Sequence, residues 1–540
     1  MTDNILAIEN LAVAVIASPY GTTVVKDVSL SVGRQEIVCV VGESGSGKSV
    51  TSFSVMGILS PGLAPVAGSI KLLGEELIGA SAARMRELRG PRMAMIFQEP
   101  MTALNPVMTV GDQIAEIFRY HKPGMSASDI QDRVRSLAED VRLPDPVNII
   151  RRYPHQLSGG QRQRIMIAMA LALEPALLIA DEPTTALDVT TQKQILDLIR
   201  DLVARRGIGV LFITHDFGVV AEIADRVVVM RAGSVVESGP AQQVLAHPQR
   251  AYTRSLIDAV PGGKLPEARK IADNVLLRVE NLSKTYGSRG LFSSRPTAAP
   301  ALQDASLNLR RGEILGIVGE SGSGKSTLAR CISRLQMPSS GDIWLGDTNI
   351  ARMHERKLRR HRKSIQVVFQ DPNRSLNPRL RIGDALVEGA RNFGIGTREA
   401  SDKSRQLLAL VGMDDSALTR FPHQFSGGQR QRICIARALA SEPDILVADE
   451  AVSALDVSVQ AQVIELLEDL RSRLGLAILF ITHDLRVAGQ LCDRLVVMQS
   501  GRIVEQGATG DLFNHPREPY TRDLLAAAPG RVFLARAKTA

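Results

Sequence analysis

Two kinds of hydrophobic pattern alternate along this chain. Short apolar runs rich in Val, Ile and Leu occur at residues 37–41, 177–180 and 209–213. Between such runs, segments such as TQKQILDLIRDLVARR (191–206) place apolar residues at intervals of three and four. Continuous apolar runs are typical of strands buried on both faces, and the three-to-four spacing predicts amphipathic helices. The pattern therefore predicts an α/β fold with a largely parallel sheet flanked by helices.

The whole pattern occurs twice. The octapeptide GESGSGKS begins at Gly42 and again at Gly319. Residues 154–189 and 422–457 are identical at 26 of 36 positions, which is far beyond coincidence of composition. The chain is therefore a tandem duplication, and self-similarity on this scale indicates two copies of one domain.

The two copies meet at a Pro- and Gly-rich joint, residues 261–266. Such a cluster is typical of a linker. We predict a first domain over 1–262, a linker over 263–273 and a second domain over 274–540, which suits a chain too long for one hydrophobic core.

Composition narrows the class of protein. The 540 residues are 44% hydrophobic and 23% charged, which excludes collagen-like, disordered and coiled-coil chains. The four cysteines lie far apart without a CxxC pair, so no local zinc or iron-sulfur site is expected. The net charge of +8 is compatible with nucleic acid or an anionic membrane but decides between neither. No apolar stretch reaches the ~20 residues of a membrane span, and without an export signal we expect the chain in the cytoplasm.

A phosphate-binding loop follows an apolar run in each half. The sequence EIVCVVGESGSGKSV places Gly42, Lys48 and Ser49 between a predicted strand and a predicted helix. In that context GxxxxGK[ST] binds phosphate, because backbone N–H groups and the helix N-terminus face the anion, the lysine neutralises it and the hydroxyl can ligate Mg²⁺. Lys325 and Ser326 repeat this arrangement in the second half.

A pair of carboxylates ends a later apolar run in each half. These pairs are Asp181-Glu182, in ALLIADE, and Asp449-Glu450, in DILVADE. The first acid of each pair can hold Mg²⁺, while its neighbour can orient and polarise a water molecule that attacks the γ-phosphate.

A second glycine turn precedes a helical run in each half, at LSGGQ (157–161) and FSGGQ (425–429). This is another helix N-terminus suited to an anion. Since each half already has a phosphate loop, the second N-terminus is useful only if it serves the nucleotide held by the other half.

Together these motifs resemble the ATP-binding cassette of ABC transporters, over nearly the whole chain. The resemblance implies two tandem P-loop NTPase cassettes, each with a helical subdomain, that meet head-to-tail around ATP and Mg²⁺. ATP bound at Lys48 would be enclosed by the FSGGQ residues (425–429) of the second half, which the family calls its signature. ATP bound at Lys325 would be enclosed by the LSGGQ residues (157–161) of the first half. A covalent duplication supplies both partners at high effective concentration.

The resemblance also assigns roles to single residues. It implies Glu182 and Glu450 as catalytic carboxylates, His215 and His483 as γ-phosphate sensors, and Gln98 and Gln370 as Q-loop residues near the metal or the water. The implied metal ligands are Ser49, Gln98, Asp181, Ser326, Gln370 and Asp449. The implied nucleotide-binding residues are Gly42, Ser44, Gly45, Gly47, Lys48, Ser49, Val50, Gly319, Ser321, Gly322, Gly324, Lys325, Ser326, Thr327 and Tyr286, the signature residues Ser158, Gly159, Gly160, Gln161, Ser426, Gly427, Gly428 and Gln429, and the D-loop residues Asp188 and Asp456.

Two further kinds of segment, each present in both halves, resemble one branch of the family, the oligopeptide, dipeptide, nickel and glutathione importers. They are the Q-loop extensions EPMTALNP and DPNRSLNP, and the segments HPQRAYTRSLI from His247 and HPREPYTRDLL from His515. Many relatives carry a cysteine-rich tail after the second kind of segment, and its absence here predicts no iron-sulfur cluster. The second half has Tyr286 where the family stacks adenine, whereas the first half has Val15 there, with Tyr20 as the nearest aromatic substitute. The first site is therefore expected to bind ATP more weakly.

The resemblance implies partners as well: two integral-membrane permease subunits and an extracytoplasmic substrate-binding protein, with the chain at the cytoplasmic face of the membrane and no nucleic acid bound. The expected cargo is peptides or peptide-like compounds. Two alternatives are a soluble twin-cassette ATPase acting on ribosomes or DNA, and a regulatory twin cassette that binds ATP without hydrolysis. A basic stretch, residues 354–364, is either a solvated helix face or a contact with lipid headgroups or the membrane subunits.

Overall fold

A computed structural model describes residues 4–16, 21–185, 187–261, 269, 271–286, 300–453 and 455–530. These residues form two compact units, the first drawn from 1–187, 191–260 and 529–540 and the second from 188–190 and 261–528. The predicted limits, 1–262, 263–273 and 274–540, stay a prediction. Among the described residues, none of the helices combines the length and the apolar character needed to cross a bilayer.

The first unit contains ten strands in two sheets. The strands are β1 (Asn4–Val15), β2 (Thr23–Gly33), β3 (Ile37–Val41), β4 (Leu63–Leu72), β5 (Glu75–Glu76), β6 (Met93–Ile96), β7 (Leu177–Asp181), β8 (Gly209–Ile213), β9 (Arg226–Arg231) and β10 (Ser234–Pro240). One sheet has the order β2-β1-β4-β5 and is antiparallel. The other has the order β10-β9-β3-β8-β7-β6 and is parallel except for the edge pair β9-β10.

Helices cover the parallel sheet of the first unit. They are α1 (Lys48–Met56), α2 (Ala82–Leu88), α3 (Pro100–Ala103), α4 (Val110–His121), α5 (Ala127–Asp140), α6 (Pro146–Ile149), α7 (Gly159–Leu171), α8 (Val189–Arg206), α9 (Phe217–Ile223), α10 (Ala241–Ala246) and α11 (Ala251–Asp258), with a 3₁₀ helix at Pro154–Gln156. The helices α3 to α7 follow one another between β6 and β7, and they form the predicted helical subdomain.

The second unit repeats the same order of elements. Its strands are β11 (Val275–Lys284), β12 (Leu302–Arg310), β13 (Ile314–Val318), β14 (Ser340–Leu345), β15 (Thr348–Asn349), β16 (Ile365–Val368), β17 (Ile445–Asp449), β18 (Ala477–Ile481), β19 (Arg494–Gln499) and β20 (Arg502–Ala508). They form an antiparallel sheet of order β12-β11-β14-β15 and a mostly parallel sheet of order β16-β17-β18-β13-β19-β20.

The helices of the second unit are α12 (Lys325–Ile332), α13 (Glu355–His361), α14 (Pro372–Ser375), α15 (Ile382–Asn392), α16 (Thr397–Leu410), α17 (Gly427–Leu439), α18 (Val457–Leu474), α19 (Leu485–Leu491), α20 (Thr509–Asn514) and α21 (Pro519–Ala526), with 3₁₀ helices at Asp415–Thr419 and Pro422–Gln424.

The central strands explain why the apolar runs are continuous. All five residues of β13 are buried, and successive residues face different layers. Leu315 and Ile317 belong to the core shared with the antiparallel sheet, whereas Ile314 and Val318 belong to the core shared with the helices. Side chains of a strand alternate between faces, so a strand covered on both sides must be apolar throughout.

The α/β architecture with a mostly parallel sheet and a helical subdomain is confirmed in each unit. The sequence pattern did not predict the separate antiparallel sheet. Its long strand β1 is interrupted by irregular register at Ile8–Leu11 and Leu11–Val13, which breaks the two-residue alternation that would have identified it.

Candidate functional site

The phosphate loop of the first unit links the end of β3 to the start of α1. Gly47 precedes α1 in the left-handed region, at φ 99°, which is open to glycine at no steric cost. Gly42, at φ 153°, admits no side chain, because a Cβ there would lie 2.2 Å from the carbonyl oxygen of Met230. The two glycines therefore shape a loop that closes directly onto the helix N-terminus.

The loop lysine is held inside this turn. Lys48 is only 6% exposed, and its Nζ donates to the carbonyl oxygens of Gly42 at 2.7 Å and Glu43 at 2.9 Å. A buried ammonium group must be paired, and here the backbone of the loop pairs it. The amine thus lies in the loop where a phosphate would bind.

The second phosphate loop repeats this geometry. Lys325 Nζ donates to Gly319 O and Glu320 O, both at 2.7 Å. Gly324 precedes α12 at φ 102°, and a Cβ on Gly319 would lie 2.2 Å from Met498 O. Burial lowers the pKa of Lys325, although the surrounding carboxylates oppose the shift.

A hydroxyl and a carboxylate lie together beside each loop. Ser49 Oγ donates to Asp181 Oδ1 at 3.2 Å, and Ser326 Oγ donates to Asp449 Oδ1 at 3.3 Å. This all-oxygen set fits Mg²⁺, which binds through one or two protein oxygens together with phosphate and water. The proposed metal ligands Ser49 and Asp181 are therefore brought together, as are Ser326 and Asp449.

The metal-side aspartates are perturbed by their surroundings. Burial, with the charge of Glu182 as a smaller cause, raises the pKa of Asp181 to about 6. Burial, with the charge of Glu450 as a smaller cause, likewise raises the pKa of Asp449. A bound cation would favour the ionised form of each carboxylate and so reverse these shifts.

Glu182 follows β7 in an unusual backbone conformation, at φ 46°. A side chain there costs of order 1–3 kcal/mol, and such strain concentrates at functional sites. Three groups surround its carboxylate: Gln98 Nε2 donates to Oε2 at 2.9 Å, Thr185 Oγ1 donates to Oε2 at 2.9 Å, and His215 Nδ1 lies 3.1 Å from Oε1.

These contacts decide the charge of Glu182. Burial acts to raise the pKa, but the His215 ring, the Thr185 hydroxyl and the loop lysine outweigh it and lower the pKa to about 2. The carboxylate is therefore ionised at neutral pH, which is the state required to accept a hydrogen bond from an attacking water.

Glu450 occupies the same position in the second unit with fewer contacts. Its φ is 50°. Gln370 Nε2 donates to its Oε2 at 2.7 Å, and His483 Nδ1 lies 3.6 Å from its Oε1. Ser453, which replaces Thr185, donates instead to the backbone carbonyl of Glu450. Burial opposes ionisation, but His483 and Lys325 lower the pKa of Glu450.

The signature segments begin helices α7 and α17. Ser158 Oγ accepts from Gln161 N at 3.3 Å while Gln161 Oε1 accepts from Ser158 N at 3.0 Å, a reciprocal cap. Ser426 and Gln429 form the same cap at the same distances. The glycines between them, Gly159, Gly160, Gly427 and Gly428, lie in the first helical turn. Each cap leaves a positive helix end suited to an anion.

The D-loop aspartates lie at helix starts. Asp188 immediately precedes α8 and accepts from Thr190 Oγ1 at 2.9 Å. Asp456 is the N-cap residue of α18. Negative charge is stabilising at these positions through the helix dipole.

The predicted adenine-side residues differ between the units. Tyr286 lies beyond the end of β11 and is 41% exposed, with its hydroxyl donating to Gln336 Oε1 at 2.7 Å. The hydroxyl is also 3.4 Å from Oγ1 of Thr327, a predicted nucleotide-binding residue. Val15 ends β1 without any aromatic surface, and Tyr20 lies outside the described residues.

The cysteines and the basic stretch are separate from these sites. All four cysteines are buried and unpaired, and burial raises the pKa of each of them. Among the described residues, no group of three or more His, Cys, Asp or Glu side chains could hold a metal ion. The absence of an iron-sulfur cluster stays a prediction. In the basic stretch, Arg362 pairs with Glu355, and Leu358 packs inward from α13.

Sequence reasoning missed two features of these sites. One is the strained backbone of Glu182 and Glu450, for which the sequence carries no signal. The other is the Thr185 contact, which follows from the position of the hydroxyl three residues after the glutamate, in DEPTT.

Comparisons with known proteins agree with this geometry. The family described as "ABC transporter" matches residues 25–185 and 302–453. The family described as "Oligopeptide/dipeptide transporter, C-terminal region" matches residues 236–289 and 504–536. These matches cover a segment in each unit, as the duplication requires.

Two curated relatives match almost the full chain. Glutathione import ATP-binding protein GsiA from Escherichia coli O157:H7 is 47% identical over an alignment of 559 positions that covers 97% of this chain and 90% of the relative. The protein of the same name from Shigella sonnei (strain Ss046) is 46% identical with the same coverage. A solved structure of cbiO1 from Clostridium perfringens, described as part of the ABC transporter complex cbiONQ, is 30% identical with a TM-score of 0.41 and covers 45% of this chain and 92% of its own.

These matches bear on the alternatives. They support ATP hydrolysis, and they do not favour a soluble twin-cassette ATPase acting on ribosomes or DNA. With two complete phosphate loops, two carboxylate pairs and two family matches in register, the chain belongs to the ABC transporter family, as an ATP-binding subunit of its oligopeptide/dipeptide importer branch.

Proposed function

We propose that this chain hydrolyses ATP at two sites to drive the import of peptides or peptide-like compounds, glutathione among them. The observation that carries the proposal is the completeness of both sites: each unit holds a buried loop lysine, a hydroxyl paired with an aspartate, and a strained glutamate beside a histidine. The cargo is suggested by the relatives, which are glutathione import ATP-binding proteins.

Catalysis is mostly positioning and charge stabilisation. Lys48 and Lys325 neutralise the phosphates, and Glu182 and Glu450 accept a hydrogen bond from water and align it with the γ-phosphate. His215 and His483 lie beside these carboxylates. Each can donate a hydrogen bond to the γ-phosphate as negative charge develops on the phosphate oxygens during hydrolysis. Ser49 with Asp181, and Ser326 with Asp449, would hold Mg²⁺, which when bound would supply further neutralisation of the phosphate charge.

Each ATP is proposed to be completed by the other half of the chain. Each half has one phosphate loop and one separate capped helix N-terminus, and a second anion-binding end has a use only if it serves the other nucleotide. Ser426, Gly428 and Gln429 would then close ATP on Lys48, and Ser158, Gly160 and Gln161 would close ATP on Lys325.

A charge substitution tests this cross-pairing. In a Lys325→Ala background only the Lys48 site remains, so Ser426→Arg should abolish ATP hydrolysis there while Ser158→Arg should leave it nearly unchanged. Both serines are exposed caps, so the two variants lose the same local bonds and serve as controls for each other. Equal loss in both variants would contradict the cross-pairing.

The subunit requires membrane partners to move cargo. Family members of this kind work with permease components, and we propose two integral-membrane permeases and an extracytoplasmic binding protein, with this chain at the cytoplasmic face of the membrane. Extraction with mild detergent should yield the chain in complex with two polytopic subunits. Recovery of the chain on ribosomes instead would contradict the transporter assignment.

A further inference from the structure

The segments that follow the last strand of each unit contact the phosphate loops. In the first unit, the Tyr252 hydroxyl donates to Glu43 Oε2 at 3.3 Å. In the second unit, the backbone N–H of Glu320 donates to the Tyr520 hydroxyl at 3.1 Å. Tyr252 belongs to the segment HPQRAYTRSLI of the first unit, and Tyr520 to the segment HPREPYTRDLL of the second. Each unit therefore has a contact between this tyrosine and the equivalent loop glutamate, through the carboxylate in the first unit and through the backbone N–H in the second.

The contacted glutamate also holds the loop lysine. The carbonyl oxygen of Glu43 accepts from Lys48 Nζ at 2.9 Å, and that of Glu320 accepts from Lys325 Nζ at 2.7 Å. One residue thus connects the tyrosine on one side with the phosphate-binding lysine on the other. In the second unit the contacted N–H belongs to the peptide whose carbonyl oxygen, Gly319 O, also accepts from Lys325 Nζ at 2.7 Å, so a rotation of that peptide would move a partner of the lysine.

The tyrosines are themselves fixed in place at the far end of their segments. In the first unit, Glu237 of β10 accepts from the backbone N–H of Gln249 at 2.8 Å and of Arg250 at 3.2 Å. The guanidinium group of Arg231 lies 4.7 Å from the centre of the Tyr252 ring, which adds a cation–π attraction.

The second unit repeats the anchor. Glu505 of β20 accepts from the backbone N–H of Arg517 at 2.9 Å and of Glu518 at 3.2 Å. The residue after each tyrosine, Thr253 or Thr521, is fully buried. Because these contacts already order the segment, its tyrosine hydroxyl can hold the phosphate loop with little further loss of conformational entropy.

The protonation state of the tyrosines suits this contact. Burial raises the pKa of Tyr252 and of Tyr520 to about 12. Each hydroxyl therefore keeps its proton at neutral pH and adds no negative charge beside the phosphates.

We propose that Tyr252 and Tyr520 are positioning residues for ATP, which hold the Glu43 side chain or the Gly319–Glu320 peptide so that the loop lysine and the backbone N–H groups are preset for phosphate. The anchoring glutamates, Glu237 and Glu505, and both tyrosines lie within the regions matched by the oligopeptide/dipeptide C-terminal family. The proposal assigns that region a task at the nucleotide site. It depends on ATP binding at the two loops but not on the identity of the cargo.

The test is a full-length chain with Tyr252→Phe and Tyr520→Phe, which removes only the two hydroxyls. We expect the KM for Mg-ATP and the Kd for ADP to rise about three- to tenfold, the effect of an ordinary hydrogen bond. The kcat should change less than twofold, since neither tyrosine touches the reacting atoms. Hydrogen exchange of the loop amides at 42–49 and 319–326 should be faster than in the wild type.

Tyr120→Phe is the matched control, because Tyr120 is an exposed tyrosine of α4 outside both loops. It should leave the KM and the exchange rates unchanged. An unchanged KM in the double variant would overturn the proposal whether or not kcat falls, and so would a raised KM without faster loop exchange. If the double variant fails to fold, the single variants Tyr252→Phe and Tyr520→Phe are judged by the same two readings. A wild-type chain without ATPase activity would instead overturn the proposed function.

Discussion

The two units use the same parts but hold them differently. In the first unit, the carboxylate of Glu182 has three close neighbours, whereas Glu450 in the second unit has one bond at 2.7 Å and a histidine at 3.6 Å. On the adenine side the order is reversed, because the second unit has Tyr286 and the first has Val15. On the proposed assignment of these residues, one site is thus better supplied for the catalytic carboxylate and the other for the base of ATP.

The comparison shows which features of the two sites are the same in both units and which differ. The loop lysines, the Ser–Asp pairs and the strained glutamates agree between units to within a few tenths of an ångström or a few degrees. Variation is confined to groups that contact these parts from outside. We expect the two sites to share a mechanism and to differ in affinity.

The largest effect is expected from removing both catalytic carboxylates. Glu182→Gln with Glu450→Gln keeps the size and one acceptor oxygen of each side chain but loses the charge that aligns water, so turnover should fall at least about 100-fold. Bound ATP should be retained, measured by filter binding of labelled nucleotide. Undiminished phosphate release would show that these glutamates have no catalytic role. Comparing the two single variants shows whether the better-held Glu182 contributes more.

The next effect concerns the base of ATP. The Lys48→Ala variant keeps a working phosphate loop only at the second site, and the Lys325→Ala variant keeps one only at the first site. The second site should bind ATP more tightly than the first. Adding Tyr286→Ala to Lys48→Ala should weaken that site by about 1–3 kcal/mol if the ring stacks on adenine. Val15→Ala in the Lys325→Ala background is the matched control and should have little effect. Equal affinities at the two sites, by equilibrium titration, would remove the adenine asymmetry.

The smallest effect should be equal in both units. Ser49→Ala and Ser326→Ala each remove one proposed metal ligand, and the Mg²⁺ concentration for half-maximal hydrolysis should rise on the order of tenfold. ATP binding measured in EDTA should change little, because the lysine and the loop backbone remain. A rise in one variant alone would show that the metal sites, too, differ between units.

The sequence predicted the parts of the site that lie next to each other along the chain. Loop glycines, the lysine and the acid after an apolar strand have fixed spacing, so GESGSGKS and ADE suffice to place them. The contact of Gln98 with Glu182 joins residues 84 positions apart, and the resemblance placed the glutamine near the metal or the water without predicting this partner. The Tyr252 and Glu43 contact spans 209 positions, and no local pattern encodes it.

The antiparallel sheets escaped prediction for a related reason. Register irregularities in β1 and β11 interrupt the alternation of buried and exposed residues, so the periodic signal that identifies a half-buried strand is lost. The fold class could be predicted because the central strands are covered on both faces and read as unbroken apolar runs.

ATP hydrolysis by this chain is proposed to drive import, and a transport assay measures that coupling itself. Proteoliposomes would contain the chain with its co-purified permease subunits. ATP would be supplied on the side of the membrane where the chain lies, and the binding protein and radiolabelled glutathione on the opposite side. We predict uptake that depends on ATP and is lost with Glu182→Gln and Glu450→Gln. Uptake that continues with the double variant, or ATP hydrolysis that never accompanies uptake of glutathione or peptides, would contradict the account.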